Sequence, residues 1–221
     1  MTSTVTRRIV VVSAGLSVPS STRLLADLLG EATEQAVRAR GEEAEVTYVE
    51  LRPLAHALAD HLLTGFPSGE LAAALDAVKQ ADGLVVVTPV FSASYSGLFK
   101  TFFDVLEPGA IDAKPVVVAA TAGTARHSLV LDHALRPLFA YLHAVVVPTG
   151  VFAASEDFGS TADGSLGKRV SRAAAELAAL VTGGSGSAAR PARARKQVED
   201  ELADPTPFEQ LLREAGGDSV R

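Results

Sequence analysis

Short runs of β-branched and aliphatic residues alternate along the chain with longer stretches whose apolar positions recur every three or four residues. Ile9–Val12, Leu84–Val87, Val116–Ala120 and Ala144–Val147 are continuously apolar, which predicts strands buried on both faces. Val46–Val49 alternates more and belongs nearer an edge. Thr22–Arg40, Glu70–Ala81, Ser96–Leu106, Ser128–His143 and Gly167–Val181 carry Leu, Ala, Val and Phe at helical spacing. Strands interleaved with helices in this way predict an α/β fold, a parallel sheet covered by helices on both faces.

The punctuation has mechanisms. Gly41, just after Arg38 and Arg40, reads as a helix C-terminal stop with cations at the negative end of the dipole. Pro89, Pro108, Pro115 and Pro148 stand at or beside the ends of apolar runs, where a missing N–H harms no ladder. Pro137 falls inside the otherwise helical Ser128–His143 and predicts a bend near His133. From Gly183 the composition changes to Gly, Ser, Ala and Arg, so the domain is read as 1–182, with 183–221 a flexible linker. Leu202, Phe208, Leu211 and Leu212 within Val198–Gly216 leave open a small C-terminal docking helix or a disordered tail.

Composition removes several function classes. The chain has 221 residues, 48% of them hydrophobic, enough for one well-buried domain. It has no cysteine, which excludes disulfides, thiolate metal sites and a cysteine nucleophile. Twenty Lys and Arg against 26 Asp and Glu give a net charge of −6, so no global basic field collects nucleic acid. No apolar run reaches the ~18 residues of a membrane span, and Met1–Arg8 shows no leader pattern; a soluble, cytoplasmic protein is expected. The histidines, His56, His61, His127, His133 and His143, show no metal spacing or triad pattern.

In an open α/β sheet ligands sit beyond the carboxyl ends of the strands, which directs attention to three loops. The first, Ser13–Arg23, offers Ser17, Ser20, Ser21 and Thr22 hydroxyls, the Arg23 guanidinium and the free amides of a helix start, a cage suited to a terminal phosphate. It lacks both the P-loop lysine and the Gly-x-Gly-x-x-Gly fingerprint, which favours a mononucleotide; an ordinary Ser/Thr helix cap is the plainer alternative. The second, Thr88–Lys100, places Pro89, Phe91 and Tyr95 where they can wall a planar ring. The third, Thr121–His127, is small and flexible around Gly123, letting backbone amides approach a flat ligand. Packing of Phe91 and Tyr95 on the sheet, with Gly123 a mere turn, is the alternative there.

Three stretches then carry a resemblance: the Ser13–Arg23 loop; Thr-Pro-Val-Phe-x-x-x-Tyr-Ser-Gly-x-x-Lys-Thr at 88–101; and Ala-Thr-Ala-Gly-Thr-Ala-x-His with Leu-Asp-x-Ala-Leu-x-Pro at 120–137. Together the sequence resembles the NADPH-dependent FMN reductase family, in particular the reductase halves of two-component flavin monooxygenase systems such as the alkanesulfonate FMN reductases. The resemblance implies a flavodoxin-like, doubly wound five-stranded parallel sheet of order 2-1-3-4-5. It implies that Ser17, Ser20, Ser21, Thr22 and Arg23 hold the FMN phosphate. Pro89, Val90, Phe91 and Ser92 then lie along the isoalloxazine, Tyr95 closes that loop, and Thr121, Ala122, Gly123 and Thr124 approach from the next. Lys100 and Asp104 are similar to family residues at a helix and dimer surface. His133 departs from the Tyr common in the alkanesulfonate reductases, a position associated there with a π-bulge at the subunit interface.

The implied reaction is hydride transfer from NADPH or NADH to FMN, with reduced FMN passed to a separate monooxygenase. The cofactor carries the chemistry, so no catalytic side chain and no metal is expected. Arg126 and His127, by their loop position, are expected to contact a nicotinamide-nucleotide phosphate. A homodimer or homotetramer is expected, with Ser96–Leu106 and Ser128–His143 at the interface. Three other readings stay open: an FMN-containing quinone, azo or chromate reductase, a flavodoxin-type electron carrier, and an interaction module dominated by the tail. With 5% aromatic residues and no Trp, the chain has few side chains for the double aromatic sandwich of a carrier.

Overall fold

A computed structural model describes residues 5–67, 69–158 and 165–183. The expected linker and docking helix beyond Gly183 lie outside the described residues. Seven strands form one sheet: β1 (Thr6–Ser13), β2 (Glu43–Glu50), β3 (Gly83–Phe91), β4 (Ser94–Tyr95), β5 (Pro115–Ala122), β6 (Val145–Val146) and β7 (Val151–Ala154). The main path runs β2-β1-β3-β5-β6, all pairs parallel, which is the expected doubly wound order.

The two strands beyond the expected five have physical causes. β4 folds back antiparallel on β3, Val90 opposite Tyr95 and Phe91 opposite Ser94, around a two-residue turn at Ser92 and Ala93. Both turn residues have positive φ, +49° and +63°, the requirement of a type I′ hairpin turn, although neither is glycine. At the far edge, the run expected as Ala144–Val147 pairs with β5 only at Val145 and Val146; after Pro148 and Gly150 the edge resumes as β7. Pro115 pairs with Val145 and Ala119 with Val151, so the edge takes six steps where β5 takes four, a two-residue bulge.

The helices are α1 (Ser21–Arg38), α2 (Ala55–Thr64), α3 (Gly69–Gln80), α4 (Gly97–Asp104), α5 (Arg136–Tyr141) and α6 (Ser165–Gly183). Alternate strand residues feed two cores. Ile9, Val11, Val85, Val87 and Val117 pack with Leu25 and Leu29 of α1 and Leu177 of α6. Val10, Val12, Leu84, Val86 and Val118 pack with Leu58, Leu71 and the buried aromatic cluster Phe99, Phe102, Phe103 and Phe139. The central strands β1, β3 and β5 are thus covered on both sides, which is why their residues read as unbroken apolar runs, whereas edge strand β2 alternates. α2 escaped the periodicity because it buries only Leu58, leaving Leu62 and Leu63 exposed.

The expected bend at Pro137 takes a definite form. Residues Leu131–Leu135 make a π-helical turn that leads into α5, with the Arg136 N–H donating to the Leu131 carbonyl. Pro137 has no N–H and its ring crowds the carbonyl four residues back, at His133, so the widened turn relieves the conflict. Ser128–His143 is therefore not one helix: a short 3₁₀ turn at Ala125–His127 precedes it, and its helical part is the π turn followed by α5.

Candidate active site

The sheet register brings the three loops together. Ser13 pairs with Val87 and Val87 with Ala119, so β1, β3 and β5 end side by side. The β1–β3 boundary is where the chain order reverses, the switch point at which such sheets bind ligands.

The first loop leads to the mouth of α1. Ser20 is its N-cap, with extended φ and ψ and a hydroxyl that accepts the Arg23 N–H at 3.2 Å. The Ser21 and Thr22 amides precede any intrahelical acceptor and point out of the helix start. Gly15 permits this closure: a Cβ there would collide with Ser20 Oγ. Ser17 and Ser21 are exposed at the mouth, whereas Thr22 is buried, its hydroxyl 2.8 Å from Thr121 Oγ1. That bond ties the first loop to the end of β5, joining two predicted groups of residues.

The second loop is the β3–β4 hairpin. Pro89 and Val90 are half-buried, Phe91 is 47% exposed, Ser92 is exposed, and the Tyr95 ring lies 5.9 Å from Phe99. Two residues missed in the sequence hold this hairpin: buried Thr88 accepts the Ser96 N–H at 3.0 Å, and Ser96 caps α4 by accepting the Phe99 N–H. Their apolar neighbours concealed them. In the third loop Ala122 is half-buried and Gly123 and Thr124 are exposed. A Cβ on Gly123 would meet no protein atom within 4 Å.

Residues 7–159 match the family described as NADPH-dependent FMN reductase. The chain belongs to that family. It is similar to an FMN reductase (NADPH) of Pseudomonas aeruginosa, 39% identical over 181 residues, covering 80% of this chain and 93% of that one. An NADH-dependent FMN reductase, SfnF, of Pseudomonas putida is 42% identical over 151 residues, 68% of this chain and 79% of that one. A crystal structure of an oxidoreductase from Corynebacterium diphtheriae has a TM-score of 0.78 at 53% identity, covering 80% of this chain and 98% of that chain.

Within this FMN reductase fold, Arg23 is the predicted site residue whose surroundings the sequence did not disclose. Its Nε donates to Asp27 at 2.7 Å, its other arm pairs with Glu50, and its guanidinium lies 4.9 Å from the Tyr48 ring centroid. The hydrogen bond to Asp27 raises the guanidinium's pKa above its ordinary value. Glu50 ends β2 in register with Ser13, so sheet pairing delivers a carboxylate that no local motif announced. Lys100 and Asp104 pair with each other along α4, one turn apart. Among the described residues there is no cluster of three or more metal-ligating side chains, and no helix long and apolar enough to cross a membrane.

Proposed function

We propose that the protein oxidises NADH or NADPH and reduces FMN, handing the reduced flavin to a separate monooxygenase in the cytoplasm. The observation that carries this reading is the convergence of the loops after β1, β3 and β5, locked by the Thr22–Thr121 hydrogen bond. The donor set suits riboflavin phosphate: two outward amides, the exposed Ser17 and Ser21 hydroxyls and one guanidinium for the phosphate, and an apolar hairpin for the ring.

When bound, FMN supplies a ring nitrogen that accepts hydride, so NAD(P)H, a proton and FMN become NAD(P)⁺ and reduced FMN. The chain's own part is binding and orientation. Ser17, Ser20, Ser21, Thr22 and Arg23 hold the phosphate, the Ser20 hydroxyl chiefly by shaping the helix start and Thr22 through its amide. Pro89, Val90, Phe91, Ser92 and Tyr95 line the ring, and Thr121, Ala122, Gly123 and Thr124 bring backbone amides to its polar edge. Arg23 reaches the phosphate by exchanging one carboxylate partner for it, a trade between charge-assisted contacts of similar kind.

The protein works as a homodimer or homotetramer in this reading. Leu129 and Tyr141, 62% and 81% exposed on either side of the π turn, supply apolar surface for a second copy. Steady-state oxidation of NADPH and NADH with FMN, FAD and riboflavin, repeated on a chain ending at Thr182, tests the proposal. Turnover with FMN is expected in both forms. Reduction of quinones or azo compounds with negligible free-FMN turnover would transfer the reading to an FMN-containing reductase of other acceptors, and flavin binding without NAD(P)H oxidation to an electron carrier.

A further inference from the structure

On the face of the sheet that carries α1, apolar residues meet apolar residues until the last layer. Val117 and Ala119 of β5 pack in the same core as Leu25, Ala26 and Leu29 of α1. The next step along each element is polar. Thr121, two residues beyond Ala119, and Thr22, one turn before Leu25 and Ala26, are both 3% exposed, and their hydroxyls bond to each other at 2.8 Å. Val at both positions would fill nearly the same space, and a neutral hydroxyl pair adds little net stability. What the pair adds is a fixed register between the two elements.

Thr121 stands where the three loops meet. Its backbone is in register with Pro89 of the second loop, its hydroxyl reaches Thr22 of the first, and it leads directly into Ala122, Gly123 and Thr124. Thr22 carries on one residue an outward amide at the mouth of α1 and the side chain that touches Thr121. We infer that Thr121 is a positioning residue for hydride transfer: through Thr22 it sets the ring-facing loop according to whether a phosphate is seated at α1. FMN is then favoured over riboflavin in reduction rate as well as in binding. The inference rests on the proposed flavin reduction and concerns its rate. A phosphate on the Ser21 and Thr22 amides fixes the first helical turn, and the hydroxyl bond passes that placement to the end of β5. Reaction between bound partners is steep in distance, about 1 Å of misplacement costing about a hundredfold, so roughly a few tenths of an ångström suffice for a severalfold effect.

Anaerobic stopped-flow mixing of the whole chain, in excess over flavin, with saturating NADH or NADPH reads the reduction rate from the loss of the flavin's visible absorbance. FMN should be reduced at least about fivefold faster than riboflavin. In Thr121→Val the two rates should converge while calorimetry still shows FMN bound more tightly, and Thr121→Ser, which keeps the hydroxyl, should restore most of the difference. Thr22→Val combined with Thr121→Val leaves neither hydroxyl unpaired, so its melting temperature should return close to that of the parent protein while the two rates stay equal. Equal rates in an active parent protein would overturn the inference alone. A double variant that regains the rate difference along with its stability would also overturn it and leave the pair a packing contact. Absence of reduction with both flavins would overturn the proposed function and this inference together.

Discussion

At the scale of single residues, Gly123 offers a probe that separates ligand from fold. Its φ is not in the left-handed region and a Cβ there touches nothing, so Gly123→Ala should leave the melting temperature within a degree or two. If backbone at this position approaches the flavin ring, the same methyl should weaken FMN binding about tenfold, read by calorimetry. Glu50 offers the complementary probe. It holds one arm of Arg23 in a half-exposed ion pair beside the mouth of α1, so Glu50→Gln releases that arm, Asp27 keeping the other, and removes a negative charge. FMN affinity should rise about two- to fivefold in low salt with riboflavin affinity unchanged, the range expected for one exposed pair. Loss of FMN affinity in that variant would mean that Glu50 serves to place Arg23 for the ligand.

At the scale of elements, the buried Thr88 side chain ties the hairpin to the start of α4. Thr88→Val keeps the shape but leaves the buried Ser96 N–H without its acceptor. A cost of about 1–3 kcal/mol in denaturant unfolding is expected, together with weaker FMN binding, because Val90, Phe91 and Tyr95 lose their fixed frame. What was legible at this scale depended on periodicity. The central strands, buried on both faces, announced themselves, and so did α1, read as Thr22–Arg40, which the structure begins after the Ser20 cap and ends at Arg38, ahead of Gly41 at φ +84°. The hairpin was not legible, because its positive-φ turn uses Ser92 and Ala93 in place of the Asn-Gly or Asp-Gly that marks such turns. Nor was β7, since Pro148 and Gly150 look like the end of an edge strand and only the two-residue bulge carries it onward. The π turn was half legible: Pro137 predicted an irregularity, but its form depends on the carbonyl it displaces.

For the molecule as a whole, the loop residues of the candidate site were readable as types, and their mutual arrangement was not. Thr22 meeting Thr121 and Arg23 meeting Glu50 both join positions distant in the chain and follow from sheet register. The same holds for Lys114, which reaches from the start of β5 to donate to the Val78, Lys79 and Ala81 carbonyls at the end of α3. Burial pushes its pKa down to about 8, against which Asp82 pulls weakly upward. Between about pH 8 and 10.5 the unfolded chain therefore holds a proton that the folded chain has released, and stability rises with pH across that window. Below pH 8 both states are protonated and this contribution is flat. Chemical denaturation at pH 7.5 and 10 should show the stability of the protein relative to Lys114→Met increasing with pH; a constant difference would mean that the three carbonyls keep the ammonium charged throughout.

The central claim is that the mouth of α1 grips a phosphate and so orients a flavin beneath the hairpin and the Thr121–Thr124 loop. Calorimetric titration with FMN and with riboflavin, which differ by that phosphate alone, tests it most directly. FMN should bind at least about tenfold more tightly, the advantage shrinking as salt is raised. Equal affinity for the two, or none for either, would contradict the account.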